Sequence, residues 1–166
     1  MTHKVIFLNG PIGCGKDTIG KHLAQKICDE TDFDAGTAQF KELLYEHTAN
    51  LFEVNLRDFK RWARGRMLKE VKMDRLHGFS PREALIFTSE NVYKKIYGKD
   101  YFGKALANSL YFNVTVITDS GFYDEAKVVV EALGAENCLL VNIYRDGCAF
   151  GENDSRGYIN LDDLGV

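Results

Sequence analysis

No apolar run in this 166-residue chain approaches the roughly 20 residues that a membrane span requires. The first one, "KVIFL" at Lys4–Leu8, is shorter than the apolar core of a signal peptide. These absences set the expectation of a cytosolic protein with no membrane partner. The four cysteines, Cys14, Cys28, Cys138 and Cys148, form no C-x-x-C pair, and the four histidines, His3, His22, His47 and His77, stand at no ligand spacing. The expectation is therefore reduced, structural thiols with Cys28 and Cys138 on apolar faces, no zinc site and no catalytic histidine. A formal net charge of −3 supplies no global attraction for nucleic acid. Repeats, low-complexity segments and linkers are also missing, so residues 1–166 read as a single domain.

What is present begins directly after the first apolar run. In "NGPIGCGKDT", Asn9 to Thr18, the residues Gly10, Gly15 and Lys16 fit the spacing G-x-x-x-x-G-K of a phosphate loop. In such a loop backbone N–H groups curl around phosphates and the lysine ammonium reaches the β and γ oxygens. Gly13 adds a residue that tolerates positive φ, and Cys14 lies inside the loop. Asp17 stands where these loops carry Ser or Thr. A carboxylate is a good magnesium ligand, and Thr18 follows it, so either residue is a candidate for the metal. The alternative is a tight glycine turn with no ligand.

The context is that of a strand, a loop and a helix. Ile19, Leu23, Ala24, Ile27 and Cys28 form one stripe at helical spacing. Farther on, Phe33 to Ala38 reads as a strand and Gln39 to Phe52 as an amphipathic helix. The basic segment Arg57 to His77 reads as helical, with Gly65 as an interruption. Ser80 precedes "PREAL" with Pro81 at the first helical position and Glu83 at the third, a capping-box arrangement for a helix running to Tyr97 and stopped by Gly98. Asp100 to Tyr111 suggests another helix, Val114 to Thr118 a buried strand ending in Asp119, Glu125 to Leu133 a helix ended by Gly134, and Leu139 to Ile143 a strand. This alternation predicts an α/β fold with a central parallel sheet.

In open parallel sheets, ligands bind beyond the carboxyl ends of the strands. Asp119 ends its strand there, either as a turn carboxylate or as a group on the magnesium side that orients an acceptor. Arg145 also follows a strand. The segment Arg145–Tyr158 is polar and glycine-bearing, and reads either as a surface loop or as a lid carrying Arg145 or Arg156 toward developing charge. In the basic segment, Arg57, Lys60, Arg61, Arg64, Arg66, Lys69, Lys72 and Arg75 outnumber Asp58, Glu70 and Asp74, with Trp62 among them. They form either a track for a polyanion with Trp62 stacking a base, or a solvated helix face with a core tryptophan.

Taken together, "FLNGPIGCGKDT", "FKELL" at Phe40–Leu44, "PREAL" at Pro81–Leu85, and "VITDSGFYDEA" followed by "LGA" resemble the P-loop nucleotide kinases, most closely the bacteriophage deoxynucleoside monophosphate kinases. The resemblance implies a three-layer P-loop kinase fold with helices on both faces of the sheet. It also implies a helical acceptor-binding insertion around 40–111, ATP as donor, Lys16 on its phosphates, and Arg82 and, less directly, Lys41 near the acceptor. The expected site then comprises Lys16, Asp119 and Arg145 as catalytic groups. Gly10, Gly13, Cys14, Gly15, Lys16, Asp17 and Thr18 bind the nucleotide, Lys41, Arg82 and Arg156 the acceptor, and Asp17, Thr18 and Asp119 the Mg2+. Such a kinase, if phage-encoded, works in the host cytoplasm.

Two departures stand out. Where the family pattern has an arginine two residues after the strand-end Asp, this chain has Gly121. The chain also stops at Val166, where such kinases have one more strand, so either the fold is shortened or the sequence continues. Similar phage kinases phosphorylate the hydroxymethyl group of 5-hydroxymethyluracil within DNA, which makes DNA, through Arg57, Arg61, Arg64 and Trp62, a second expected acceptor. A third reading is an ATP-binding module without transfer.

Overall fold

The computed structural model describes residues 3–152, 154 and 156–166. The chain divides into two compact units, Met1–Phe40 with Gly103–Val166, and Lys41–Phe102.

The first unit is built on four parallel strands in the order β2, β3, β1, β4, namely β1 Lys4–Asn9, β2 Ala35–Ala38, β3 Val114–Ser120 and β4 Cys138–Asn142. Strand residues alternate between the two faces, and both faces are covered. On one, Leu8 and Val116 pack with Ala24 of α1, Lys16–Glu30. On the other, Val5, Phe7 and Ile117 pack with Ala126, Val129 and Val130 of α7, Tyr123–Leu133. Leu106 and Ala107 of α6, Tyr101–Asn108, and Leu161 near the C-terminus join this second cluster. The expected α/β architecture with a central parallel sheet is therefore present, and the element boundaries shift by one to three residues.

The stripe expected on α1 is rotated. Gly20 and Ala24 are the buried residues, while Ile19 is 41% exposed. Gly20 explains the change, because a Cβ there would come within 2.5 Å of Thr118 Cγ2. The helix approaches the sheet so closely that only glycine fits, and this contact sets the helix rotation. Cys28, expected on an apolar face, is exposed. Its thiol meets the backbone of Ala35, 3.3 Å from N and 3.5 Å from O, at the edge strand β2, where water has access. Cys138 does pack against the core, and burial, with Glu136 adding to it, pushes its thiol up to about 11.

The second unit contains α2 Lys41–Leu51, α3 Leu56–Arg64, α4 Pro81–Ile86 and α5 Lys94–Tyr97, and its core gathers Tyr45, Ala49, Phe52, Phe59, Leu76 and Ala84. Asn55 caps α3 by accepting from the N–H groups of Arg57 and Asp58 at 2.9 and 3.3 Å. The basic segment is not one helix. It stops at Gly65 and resumes only as a single 3-10 turn at Asp74–Leu76.

The capping box forms as expected, with Ser80 N–H donating to Glu83 at 2.7 Å and Glu83 N–H to Ser80 Oγ at 3.2 Å. The helix it starts does not stay α-helical: Phe87–Tyr93 is a π-helix. Within this stretch Thr88 Oγ1 donates at 2.8 Å to the carbonyl of Ala84, which also accepts from the Phe87 N–H. The expected stop at Gly98 is observed, with φ of 100°.

Candidate functional site

The site grows out of the carboxyl ends of β1 and β3. Beyond Asn9 the chain turns through Gly13 (φ 85°) and Gly15 (φ 101°), both left-handed, before α1 begins at Lys16. Side chains with a Cβ disfavour that backbone region, so these two glycines permit the curl. Gly10 is needed for space instead, since a Cβ would lie 2.7 Å from the Ile143 carbonyl and 2.9 Å from Cys14 Sγ. Cys14 is buried beneath the loop. The Lys16 ammonium folds over the loop and donates to the carbonyls of Gly10 at 2.6 Å and Pro11 at 2.8 Å.

Asp17 Oδ1 accepts from Thr118 Oγ1 at 2.7 Å and from Gln39 Nε2 at 2.8 Å, and Gln39 also reaches Thr118 at 2.9 Å. The first turn of α1 is thereby tied to the end of β3. Both bonds use one carboxylate oxygen, and Asp17 is exposed, so its second oxygen suits a hard cation that retains several waters. Thr18 is also exposed. Asp119 points to the opposite face of β3, where Oδ1 accepts from the Phe40 N–H at 2.9 Å. No group of three or more His, Cys, Asp or Glu ligands occurs among the described residues.

Asn9 is a polar residue at a fully buried strand end. Its Nδ2 donates to the carbonyls of Ser120 at 2.8 Å and Gly157 at 3.0 Å, while Oδ1 accepts from Ile159 N–H at 2.9 Å. It holds the C-terminal segment against the ends of β1 and β3. Leaving such an amide unpaired would cost about 1–3 kcal/mol.

That segment delivers two arginines. Arg145 Nη1 donates to the Gly13 carbonyl at 3.1 Å. Arg156 lays its aliphatic stem over Gly121, where a Cβ would meet Arg156 Cβ and Cγ at 3.1 Å. Its guanidinium grips Asp154 through two bonds of 2.8 and 2.7 Å. The bond to Asp154, and after it the charges of Asp154 and Asp119, raise the guanidinium pKa against the opposing effect of burial. Arg156 is thus near enough to Asp119 for its charge to be felt, although its hydrogen bonds go to Asp154. Of the expected lid, Asn153 and Ser155 lie outside the described residues.

Lys41 and Arg82 belong to the helical unit. Arg82, exposed near the start of α4, pairs with Glu70 at 2.7 Å. On α3, Lys60 and Arg64 both pair with Glu42, at 2.6 and 2.5 Å, and Arg61 with Asp58 at 3.4 Å. A cleft of about 610 Å3 runs along Asn55, Leu56, Arg57, Lys60, Arg61 and Arg64. Trp62 is half-buried and packs against the hydrophobic cluster, the arrangement expected of the second of its two readings, a tryptophan on the core side of a solvated helix.

Sequence reasoning missed Asn9, Gln39 and Thr118. Asn9 carried a signal, as an amide closing an apolar run, whereas Gln39 and Thr118 carry none without the register of β3 against α1. No protein-family model and no curated protein matches the chain.

Proposed function

We propose that this protein transfers the γ-phosphoryl group of ATP, in the presence of magnesium, to a nucleotide acceptor, most simply a deoxynucleoside monophosphate. The observation that carries the reading is the loop. Two left-handed glycines, a glycine without room for a Cβ and a lysine ammonium lying over the loop carbonyls meet at the edge where β3 presents Asp119. The likeness to phage deoxynucleoside monophosphate kinases supports the same donor and acceptor.

In the reaction an acceptor oxygen bonds to the γ-phosphorus as the bond to the β-γ bridging oxygen breaks, and the electron pair leaves with ADP. Lys16 exchanges its carbonyl partners for β and γ oxygens. Arg145, on the loop, and Arg156, beside Asp119, offset charge as it spreads over the transferring group. Asp17 or Thr18 would hold the magnesium, which would neutralise phosphate charge and fix donor geometry, while Asp119, on the other face of β3, would orient the acceptor. Lys41 and Arg82 serve the acceptor on the strength of the resemblance.

One observation favours a second reading, phosphorylation of 5-hydroxymethyluracil within DNA: the cationic cleft along α3 suits a phosphate backbone. A non-catalytic ATP-binding module is the third.

The test supplies γ-labelled ATP and magnesium in parallel to the deoxynucleoside monophosphates and to duplex DNA containing 5-hydroxymethyluracil, with Lys16→Ala as control. Label in a diphosphate supports the first reading. Label in DNA, with binding that weakens steeply as salt rises, replaces it with the second. Slow hydrolysis with no labelled acceptor contradicts transfer altogether.

A further inference from the structure

Beside the phosphate loop stands an aromatic cluster that none of the roles above uses. The ladder of β4 continues through Ile143, whose N–H donates to the Asn9 carbonyl at 2.7 Å, and the next residue, Tyr144, is 73% exposed. Its ring is stacked on Tyr158, with centroids 4.6 Å apart and planes at 30°. Tyr158 is held in turn: its hydroxyl donates to the Ile143 carbonyl at 3.0 Å, and Phe150 meets its ring edge-on at 5.1 Å and 90°. Burial, followed by Tyr144, Cys14 and Cys148, raises the Tyr158 pKa above its ordinary value.

The cluster is tied to the loop. Arg145, adjacent to Tyr144, bonds to the Gly13 carbonyl, and a Cβ on Gly13 would lie 3.8 Å from Cys148 Sγ. Tyr144 is thus an aromatic ring covered on one side, exposed over most of its surface and held in place before any ligand arrives. A ring fixed in this way loses little rotamer freedom on binding.

We propose that Tyr144, backed by Tyr158, is the stacking platform for the nucleobase of the nucleotide whose phosphates the loop holds, and that it selects purine donors by ring area. This inference rests on the phosphate-loop reading. A π face reads ring size rather than the pattern of polar groups at the base edge. ATP and GTP therefore bind alike, CTP binds more weakly, and inorganic tripolyphosphate, which has no base, binds most weakly.

The test is calorimetric titration of the full chain with the magnesium complexes of these four ligands, for the native protein, Tyr144→Ala and Tyr144→Phe, with thermal melts to show that the variants fold. Loss of stacking in Tyr144→Ala should weaken ATP and GTP roughly 5- to 100-fold, leave tripolyphosphate unchanged, and be rescued by Tyr144→Phe. Equal ATP affinity in the native protein and Tyr144→Ala, or equal affinity of the native protein for ATP and tripolyphosphate, overturns the platform while the loop reading stands. Failure of all four ligands to bind overturns both.

Discussion

The unit of residues 1–40 and 103–166 and the unit of residues 41–102 hold their structures by different means. In the first, the parallel ladder sets the frame, and the residues that matter most are those the backbone itself requires: Gly13 and Gly15 for their φ angles, Gly10 and Gly20 for close approach, and Asn9 for buried pairing. The helical unit relies on side chains. Tyr45, Phe52, Phe59 and Leu76 fill its centre, a seven-residue π-helix interrupts its third long segment, and Lys60, Arg61, Arg64 and Arg82 pair with Glu42, Asp58 and Glu70. The difference teaches that a function built on backbone geometry leaves its mark in the residue types, whereas a surface assembled from side chains leaves only composition.

The largest expected effect tests the side-chain half of this contrast. Phe59 is fully buried and meets Tyr45 edge-on. Phe59→Ala should lower stability by about 3–5 kcal/mol in urea titration, and a loss below about 1 kcal/mol would show that the core is not what holds the helices. The backbone half is tested by Gly10→Ala. Its new methyl group must displace a carbonyl, at a cost of about 1–3 kcal/mol of overpacking together with loss of nucleotide binding. Gly151→Ala, which has open space around it, should change neither.

A smaller effect is expected at the Ser80 cap. Ser80→Ala removes one of the two reciprocal bonds and should cost about 1 kcal/mol by the same titration. The Ser80 bonds, the backbone one first, hold the Glu83 carboxyl below its ordinary value, so that carboxyl should also titrate closer to normal in the variant when followed by NMR.

The smallest effect is a pH dependence within the helical unit. His47 lies flat on Tyr93, with centroids 3.9 Å apart, and is 2.9 Å from the Tyr101 hydroxyl. Burial lowers its pKa from the ordinary 6.5, with Glu46 opposing. A lowered folded-state pKa means that the unfolded chain binds the proton more readily. Stability is then complete above 6.5 and falls as the pH drops through the folded value. His47→Gln should flatten that part of the melting-temperature curve, and an unchanged curve would remove His47 as its source.

Legibility from sequence follows the same division. The loop, the strand-end Asp119, the parallel sheet and the capping box at Ser80 were all readable, because each rests on local residue requirements. The rotation of α1 was not, since it depends on Gly20 meeting Thr118 across the sheet. Trp62 was readable only as one of two alternatives, and the π-helix at Phe87–Tyr93 not at all, because no residue type in that stretch marks a change of helical pitch. Arg156 over Gly121 shows the limit most plainly, because residues 35 positions apart meet only once the chain has folded.

The most direct measurement is equilibrium binding of a non-hydrolysable ATP analogue with magnesium to the native chain and to Lys16→Ala. If Lys16 holds the phosphates, the native chain binds, and the variant loses roughly 100-fold or more in affinity, as expected for losing a charged group from a preorganised anion site. Equal affinity in the two proteins, or no binding by the native chain, would contradict the account.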